Sequence, residues 1–332
     1  MRVLVTGGAG FVGGAVAQRL RLKGHRVRIL SRRSLPGPAA PDMDVCLGDL
    51  SDFDAVRAAC RDVEAVVHCA AMVGLGGRYD DFYRVNVTGT GHVIKACQEL
   101  AIPRLVFTSS PSVVGDGQDA EGWDETAPYP KTFDSCYSRT KAIAEELVLA
   151  SNTSGLATVA LRPHLVWGPG EDKLVARIIA QARAGELRRI GAFNKKVDTT
   201  YIDDAAEAHC LALEKLAPGS SVAGQVYFIS QDDPRPVWDI VNGILRAAAL
   251  PPVTKSVNPW AAMAAAWACE TCHAAAGRAE EPKLTRFLLR QLTTAHWFDI
   301  SAARRDLGYR PQVTIEAGMQ RLRAWFEAKS QR

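Results

Sequence analysis

Tyr137 and Lys141 stand four residues apart in Tyr137-Ser138-Arg139-Thr140-Lys141, and the chain opens with Thr6-Gly7-Gly8-Ala9-Gly10-Phe11-Val12-Gly13. On a helix the first spacing sets a phenol and an ammonium one turn apart on one face. Free tyrosine, with a pKa near ~10, is a poor acid–base group at neutral pH unless its phenolate is stabilised. The Lys141 ammonium is placed to supply that electrostatically. Phe107-Thr108-Ser109-Ser110 closes an apolar run, and open α/β sheets carry their reactive groups at such strand ends. A serine hydroxyl there can hold a carbonyl oxygen in line with Tyr137. The chemistry these residue types allow is proton exchange at the oxygen of a carbonyl or alcohol.

The glycine segment has GxxGxxG spacing through Gly7, Gly10 and Gly13. The first allows a tight turn after a strand, the second a close approach of backbone to a pyrophosphate, and the third close helix–sheet packing. It follows a strand and opens a helix, the context that gives the motif meaning. An acidic residue roughly 20 positions on would take the ribose hydroxyls of NAD. Leu30 is instead followed by Ser31-Arg32-Arg33-Ser34. Guanidiniums suit a 2′-phosphate, so the segment favours NADP(H) over NAD(H), with Arg32 ahead of Arg33. Gly48-Asp49-Leu50 puts Asp49 near the adenine edge. A phosphate turn, a strand-end serine and YxxxK in this order imply a nicotinamide-dependent oxidoreductase.

These groups need a scaffold. Apolar runs at Val3–Val5, Val27–Leu30, Ala65–His68, Leu105–Thr108 and Thr158–Leu161 alternate with helical patterns at Gly13–Lys23, Asp52–Arg61, Gly89–Leu100 and Tyr137–Ala150. Continuously apolar strands separated by helices imply a doubly wound α/β Rossmann-type parallel sheet covered on both faces. Beyond Arg162-Pro163 the pattern weakens, with a helix at Lys173–Ala184, strands at Val197–Tyr201 and Gln225–Ser230, and a helix at Asp203–Leu216. We read residues 1–163 as the dinucleotide-binding domain, completed by about 193–230, and 164–192 with 231–332 as a smaller, interleaved C-terminal substrate lobe.

The 332 residues carry 47% hydrophobic and 23% charged side chains and a net charge of +4, an ordinary globular composition that argues against nucleic acid. Met1–Val5 reads as the first strand rather than a leader. Eight cysteines without the density of a disulfide scaffold suit a reducing, cytoplasmic setting. Cys269-x-x-Cys272 lacks a second ligand pair, so no metal is expected. Val257–Cys269 is free of charge but short of the ~20 residues of a membrane span; it reads as a buried helix, a lid, or a helix peripheral to a membrane.

The motifs together resemble the extended short-chain dehydrogenases/reductases, over nearly the whole chain. That family carries TGxxGxxG, an (S/T)SxxVxG-like segment, YxxxK and then RPxxVxGP, found here as Arg162-Pro163-His164-Leu165-Val166-Trp167-Gly168-Pro169. Alignment on Val113-Val114-Gly115 makes Ser110 the active serine, Tyr137 the acid/base and Lys141 its partner. Asn86, in Asn86-Val87-Thr88-Gly89-Thr90, matches an asparagine that helps order the site. The resemblance implies cofactor contacts from Gly7, Gly10, Phe11, Val12, Gly13, Ser31, Arg32, Asp49, Leu50, Ala70, Tyr137, Lys141 and Pro163. It implies substrate contacts from Asn86, His164 and Trp167.

Within that family the chain is most similar to the 3β-hydroxysteroid dehydrogenase branch, and in Ser110–Val113, Tyr137–Glu145, Leu161–Gly170 and Asn194–Asp203 to its bacterial members that reduce 2-alkyl-3-oxoalkanoates in olefin biosynthesis. Two departures are Ser110, where those members tend to carry threonine, and His164, where they carry arginine. The implied reaction is reduction of a 3-oxo acid to the 3-hydroxy acid, reversibly. A 3β-hydroxysteroid or sterol-4α-carboxylate dehydrogenase is the alternative, since a 4-carboxy-3-hydroxysterol is itself a 2-substituted 3-hydroxy acid. A nucleotide-sugar epimerase ranks third, because the C-terminal third is alanine- and tryptophan-rich rather than basic. A hydrophobic substrate calls for an apolar pocket, for which Trp167, Phe193, Trp260, Met263, Trp267, Phe287 and Trp297 are available. The resemblance further implies a homodimer through Gly89–Leu100 and Tyr137–Ala150, and an assembly with other pathway enzymes.

Overall fold

The structure is a computed structural model that describes residues 1–332 except 35–42, 75, 116, 193–194, 276–283 and 332. Seven parallel strands form its main sheet: β1 (Arg2–Thr6), β2 (Arg26–Ser31), β3 (Met43–Leu47), β4 (Ala65–His68), β5 (Arg104–Thr108), β6 (Ala157–Pro163) and β7 (Val226–Ile229). Their order is β7-β6-β5-β4-β1-β2-β3. Val3 lies opposite Val27 on one side and Ala65 on the other. The strand order therefore reverses at β1/β4, where doubly wound sheets open their ligand crevice.

Ten helices are labelled: α1 (Phe11–Leu22), α2 (Phe53–Ala59), α3 (Gly89–Glu99), α4 (Cys136–Ala150), α5 (Leu174–Arg183), α6 (Ile202–Lys215), α7 (Val237–Ala247), α8 (Pro259–Ala275), α9 (Arg286–Thr293) and α10 (Ile315–Ser330). Successive strand residues face opposite ways, so Val3 and Val5 join α1 and α6 in one core while Leu4 joins α2, α3 and α4 in another. Local chemistry fixes the helix starts. The Asp52 carboxylate accepts the Asp54 and Ala55 N–H groups at 3.0 and 3.2 Å, and the Thr314 hydroxyl accepts Ala317 N–H at 3.2 Å.

A third core gathers Trp167, Tyr201, Trp238 and Leu322. A four-stranded sheet gathers Ala120–Trp123, His296–Phe298, Lys196–Val197 and Arg235–Pro236, with Ala120 and Phe298 in the first core and Val197 in the third. The single strand expected over Val197–Tyr201 is instead split between two sheets. Lys196–Val197 pairs in this one, and Thr200–Tyr201 pairs with Val166–Trp167. Buried Asp198 makes the break, its carboxylate accepting the Ser230 hydroxyl at 2.9 Å and Phe298 N–H at 3.3 Å. Strand β3 escapes the sequence reading because it is an edge strand with Asp44 exposed in its middle.

Candidate active site

Helix α4 begins at Ser135, whose hydroxyl accepts Ser138 N–H at 3.1 Å, so Tyr137 and Lys141 fall in its first two turns. Lys141 Nζ donates to the Thr108 carbonyl, the last of β5, at 2.6 Å and lies 3.9 Å from the Phe107 ring centroid. Two residues beyond Thr108, Ser110 caps the short turn Pro111–Val113, accepting Ser112 N–H at 3.3 Å and lying 3.0 Å from the Ser112 hydroxyl. Ser110 also stands near enough to the Tyr137 phenol to act on its pKa. A strand end and one helix face thus bring Ser110, Tyr137 and Lys141 together.

The electrostatics differ from the simple expectation. Burial pushes Lys141 down to about 7, against the upward pull of Glu145 and Cys69. Burial raises the Tyr137 phenol above its ordinary value, and the nearby Ser110 hydroxyl pulls it down. The Lys141 ammonium gives one of its N–H groups to a backbone carbonyl across the α4–β5 seam.

Asn86 lies in a π-helical stretch, Tyr83–Thr88, that runs into α3. Its amide accepts Met72 N–H at 2.7 Å and donates to the Met72 carbonyl at 3.1 Å and to Thr140 Oγ1 at 3.0 Å. Both amide protons are used, so Asn86 is corrected from a substrate contact to a brace between α4 and the segment after β4. Thr90 donates to the Asn86 carbonyl at 2.6 Å and so must accept from His68 Nε2–H at 2.9 Å. His68 Nδ1 is then left to accept the Thr6 hydroxyl at 2.6 Å. Burial pushes this histidine down to about 3, so the brace is neutral.

The glycine turn is tight. Gly7 has φ +70° and a Cβ there would lie 2.8 Å from Ala70 Cα; one on Gly13 would lie 2.3 Å from the Gly7 carbonyl oxygen. Gly10 caps α1 without a side-chain bond, and no acidic residue occupies the first turn. The leading N–H groups of α1 therefore form an anion cradle, which fits a dinucleotide phosphate. Phe11 and Val12 begin α1 and pack on the core of Trp167 and Trp238, fixing the cradle against it. Ala70 N–H donates to Thr6 Oγ1 at 3.2 Å beside the turn.

At the end of β2 the Ser31 hydroxyl accepts Arg33 N–H at 3.2 Å, which leaves its own proton available. The Arg32 side chain is 70% exposed, with Nε 4.0 Å from Asp49. Ser51 N–H and Oγ bond Asp49 at 2.8 and 2.7 Å and hold its carboxyl below the ordinary range. A carboxylate does stand beside the end of β2, but it arrives from just past β3. Leu50 is buried against α3, where a Cβ on Gly89 would lie 2.8 Å away. Pro163 closes β6 opposite Ile229.

Two expected substrate residues are core residues. His164 Nε2 lies 3.1 Å from His296 Nδ1 and its ring packs edge-on to Phe298; burial and His296 hold its pKa well below the ordinary value. A neutral imidazole so placed offers no cation to a carboxylate. Trp167 is 1% exposed, donates Nε1–H to Gln231 at 3.2 Å and packs edge-on to Tyr201. Of the aromatics expected around substrate, Phe193 and the Phe287 side chain lie outside the described residues. Trp260 and Trp267 face solvent, and Trp297 packs over Gly122.

Residues 4–256 match the model of the 3-beta hydroxysteroid dehydrogenase/isomerase family. The chain belongs to that family. It is an oxidoreductase of the short-chain dehydrogenase/reductase type. It is 46% identical to the 2-alkyl-3-oxoalkanoate reductase of Stenotrophomonas maltophilia, with 98% of this chain and 99% of that one aligned. The 2-alkyl-3-oxoalkanoate reductase of Shewanella oneidensis is 42% identical over 96% of this chain and 85% of its own. The fold is shared with UDP-glucuronic acid 4-epimerase from Bacillus cereus, solved in complex with NAD, at a TM-score of 0.76, 22% identity and 99% coverage of both chains.

This member of the 3-beta hydroxysteroid dehydrogenase/isomerase family holds one feature the sequence reading left without a role. Glu145, one turn beyond Lys141, is fully buried and takes Arg162 Nη2 and Nε at 2.6 and 3.0 Å and the Tyr129 hydroxyl at 2.6 Å. This cluster ties α4 to β6 behind Lys141. The signal was present, a glutamate four residues past the lysine and an arginine before Pro163, but nothing in the sequence pairs them. Below β5, His209 Nδ1–H donates to the Ala205 carbonyl at 2.7 Å, so its Nε2 accepts the Thr108 hydroxyl at 2.8 Å.

Proposed function

We propose that this protein is an NADP(H)-dependent reductase that converts the 3-oxo group of a 2-alkyl-3-oxoalkanoate to the 3-hydroxy acid, reversibly. The observation carrying the reading is the meeting of Ser110, Tyr137 and Lys141 at the sheet's C-terminal edge beside the α1 cradle. Nearly full-length likeness to two 2-alkyl-3-oxoalkanoate reductases supports the substrate class. Gly7, Gly10, Phe11, Val12 and Gly13 would hold the dinucleotide phosphates through backbone N–H groups. Ser31 and Arg32 would hold the 2′-phosphate, Asp49 and Leu50 the adenine side, and Ala70 and Pro163 the remaining contacts. When bound, the nicotinamide supplies or accepts the hydride.

The chain's own groups handle the oxygen. The Ser110 hydroxyl sits near the Tyr137 phenol, so both would donate to one carbonyl oxygen. Tyr137, kept neutral by burial, is the proton donor in reduction and the acceptor in oxidation. Lys141, one helical turn from Tyr137 and bonded to Thr108, would add positive charge near the phenol. A sterol substrate is the second reading, favoured by the family's own description. A homodimer through α3 and α4 belongs to the proposal, and Leu147 of α4 is 40% exposed. The test incubates purified protein with NADPH or NADH and a 2-alkyl-3-oxo acid, and with NAD and a 3β-hydroxysterol. NADPH consumption with the keto acid is expected; turnover of the sterol alone, with NAD, would replace the reading.

A further inference from the structure

Helix α8 breaks the usual rule for a surface helix. No charged side chain occurs between Lys255 and Glu270, yet its outer face is open to water. Ala262 and Ala266 are buried at 7% and 0% exposure and anchor the inner face, while Trp260 and Trp267 are exposed at 84% and 58%. Seven residues is two helical turns, so the two indoles stand on one face. Ala261, Ala264, Ala265 and Ala268 are exposed with them. A helix apolar all round belongs inside a protein or against another apolar phase. Exposed indoles, each with an apolar body and a polar N–H, suit a boundary between apolar and aqueous phases.

The border of this face is basic. Strand Ser256–Val257 leads into α8 and pairs with Arg189–Ile190, and Arg189 N–H donates to the Lys255 carbonyl at 2.9 Å. Lys255 and Arg188 thus stand beside the start of the helix, Arg188 held by the Gly185 and Leu187 carbonyls at 2.5 and 2.9 Å, while the Arg189 guanidinium turns over the buried Trp238 ring at 5.8 Å. Glu186 lies on that turn. At the other end Glu270 is matched by Arg286 at 2.6 Å. At 17 residues α8 would reach about 25 Å, short of the ~30 Å hydrocarbon core. No helix among the described residues is long and apolar enough to cross a membrane.

We propose that the exposed face of α8 rests on the surface of an anionic lipid bilayer, with Trp260 and Trp267 inserted at headgroup level and Lys255 and Arg188 facing the acidic headgroups. The helix lies on the bilayer and does not span it. The inference stands apart from the substrate assignment.

Flotation of the full chain tests it, using vesicles of phosphatidylcholine alone or mixed with phosphatidylglycerol. Wild-type protein floats with the mixed vesicles, less so at high salt. Trp260→Ala loses roughly tenfold or more in partitioning, as does Trp267→Ala, and the double variant stays in the aqueous layer. Lys255→Glu weakens binding to mixed vesicles alone. Circular dichroism of each variant stays that of wild type. Failure of the wild type to float overturns the proposal. So does a double variant that still floats, or one whose only change is dissociation of an oligomer, which would make this face a contact between copies of the chain.

Discussion

Lys141→Met should make the folded protein more stable at neutral and acidic pH while removing its function. The Lys141 side chain is 2% exposed and its pKa falls from 10.5 to about 7 on burial. Below about pH 7 both folded and unfolded chains carry the proton, and the folded state bears the full cost of a buried ammonium. Three to four units at about 1.4 kcal/mol each make that cost on the order of 4–5 kcal/mol. Between about 7 and 10.5 the unfolded chain holds a proton the folded chain has lost, so this contribution improves as pH rises. Methionine matches the stem but leaves the Thr108 carbonyl without its donor, a loss of about 1–3 kcal/mol. The variant should therefore gain roughly 2–3 kcal/mol near pH 6, and the gain should shrink to about zero near pH 9. Urea denaturation of both proteins across that range, at fixed salt, measures the difference. A gap that does not vary with pH, or a variant less stable at pH 6, would refute the reasoning.

Other perturbations probe separate parts of the site. Gly13→Ala drives a Cβ to 2.3 Å from the Gly7 carbonyl oxygen, so dinucleotide binding, read by fluorescence titration, should fall at least tenfold. Glu145→Gln leaves Arg162 buried without its counter-charge and should lower stability by about 3–5 kcal/mol; Glu145→Gln with Arg162→Met should recover much of it in the same denaturation assay. Arg32→Ala should raise KM for NADPH about tenfold or more and leave KM for NADH little changed, since only the 2′-phosphate needs the guanidinium. Equal effects on both cofactors would remove Arg32 from that role.

The parallel sheet and its first-half helices were legible because each strand is continuously apolar and each helix repeats at its own period. YxxxK and the glycine turn were legible because their chemistry depends on local spacing. What stayed hidden depends on contacts distant in sequence. Asp49 reaches Arg32 only because β3 lies beside β2. Glu145 finds Arg162 across 17 residues, and His164 meets His296 across 132. The same distance effect misdirected the substrate residues. Asn86, His164 and Trp167 are local neighbours of the motifs, but the fold spends their polar atoms on bracing and core. The raised Tyr137 phenol was equally invisible, because burial is a property of the folded chain.

The central claim is that the Tyr137 hydroxyl exchanges the proton. The direct test is Tyr137→Phe, assayed for NADPH-dependent turnover of a 2-alkyl-3-oxo acid and, separately, for NADPH binding. We predict a fall in kcat of roughly 10²–10⁴-fold with cofactor affinity within a factor of a few of wild type. Turnover retained at the wild-type rate would contradict the account.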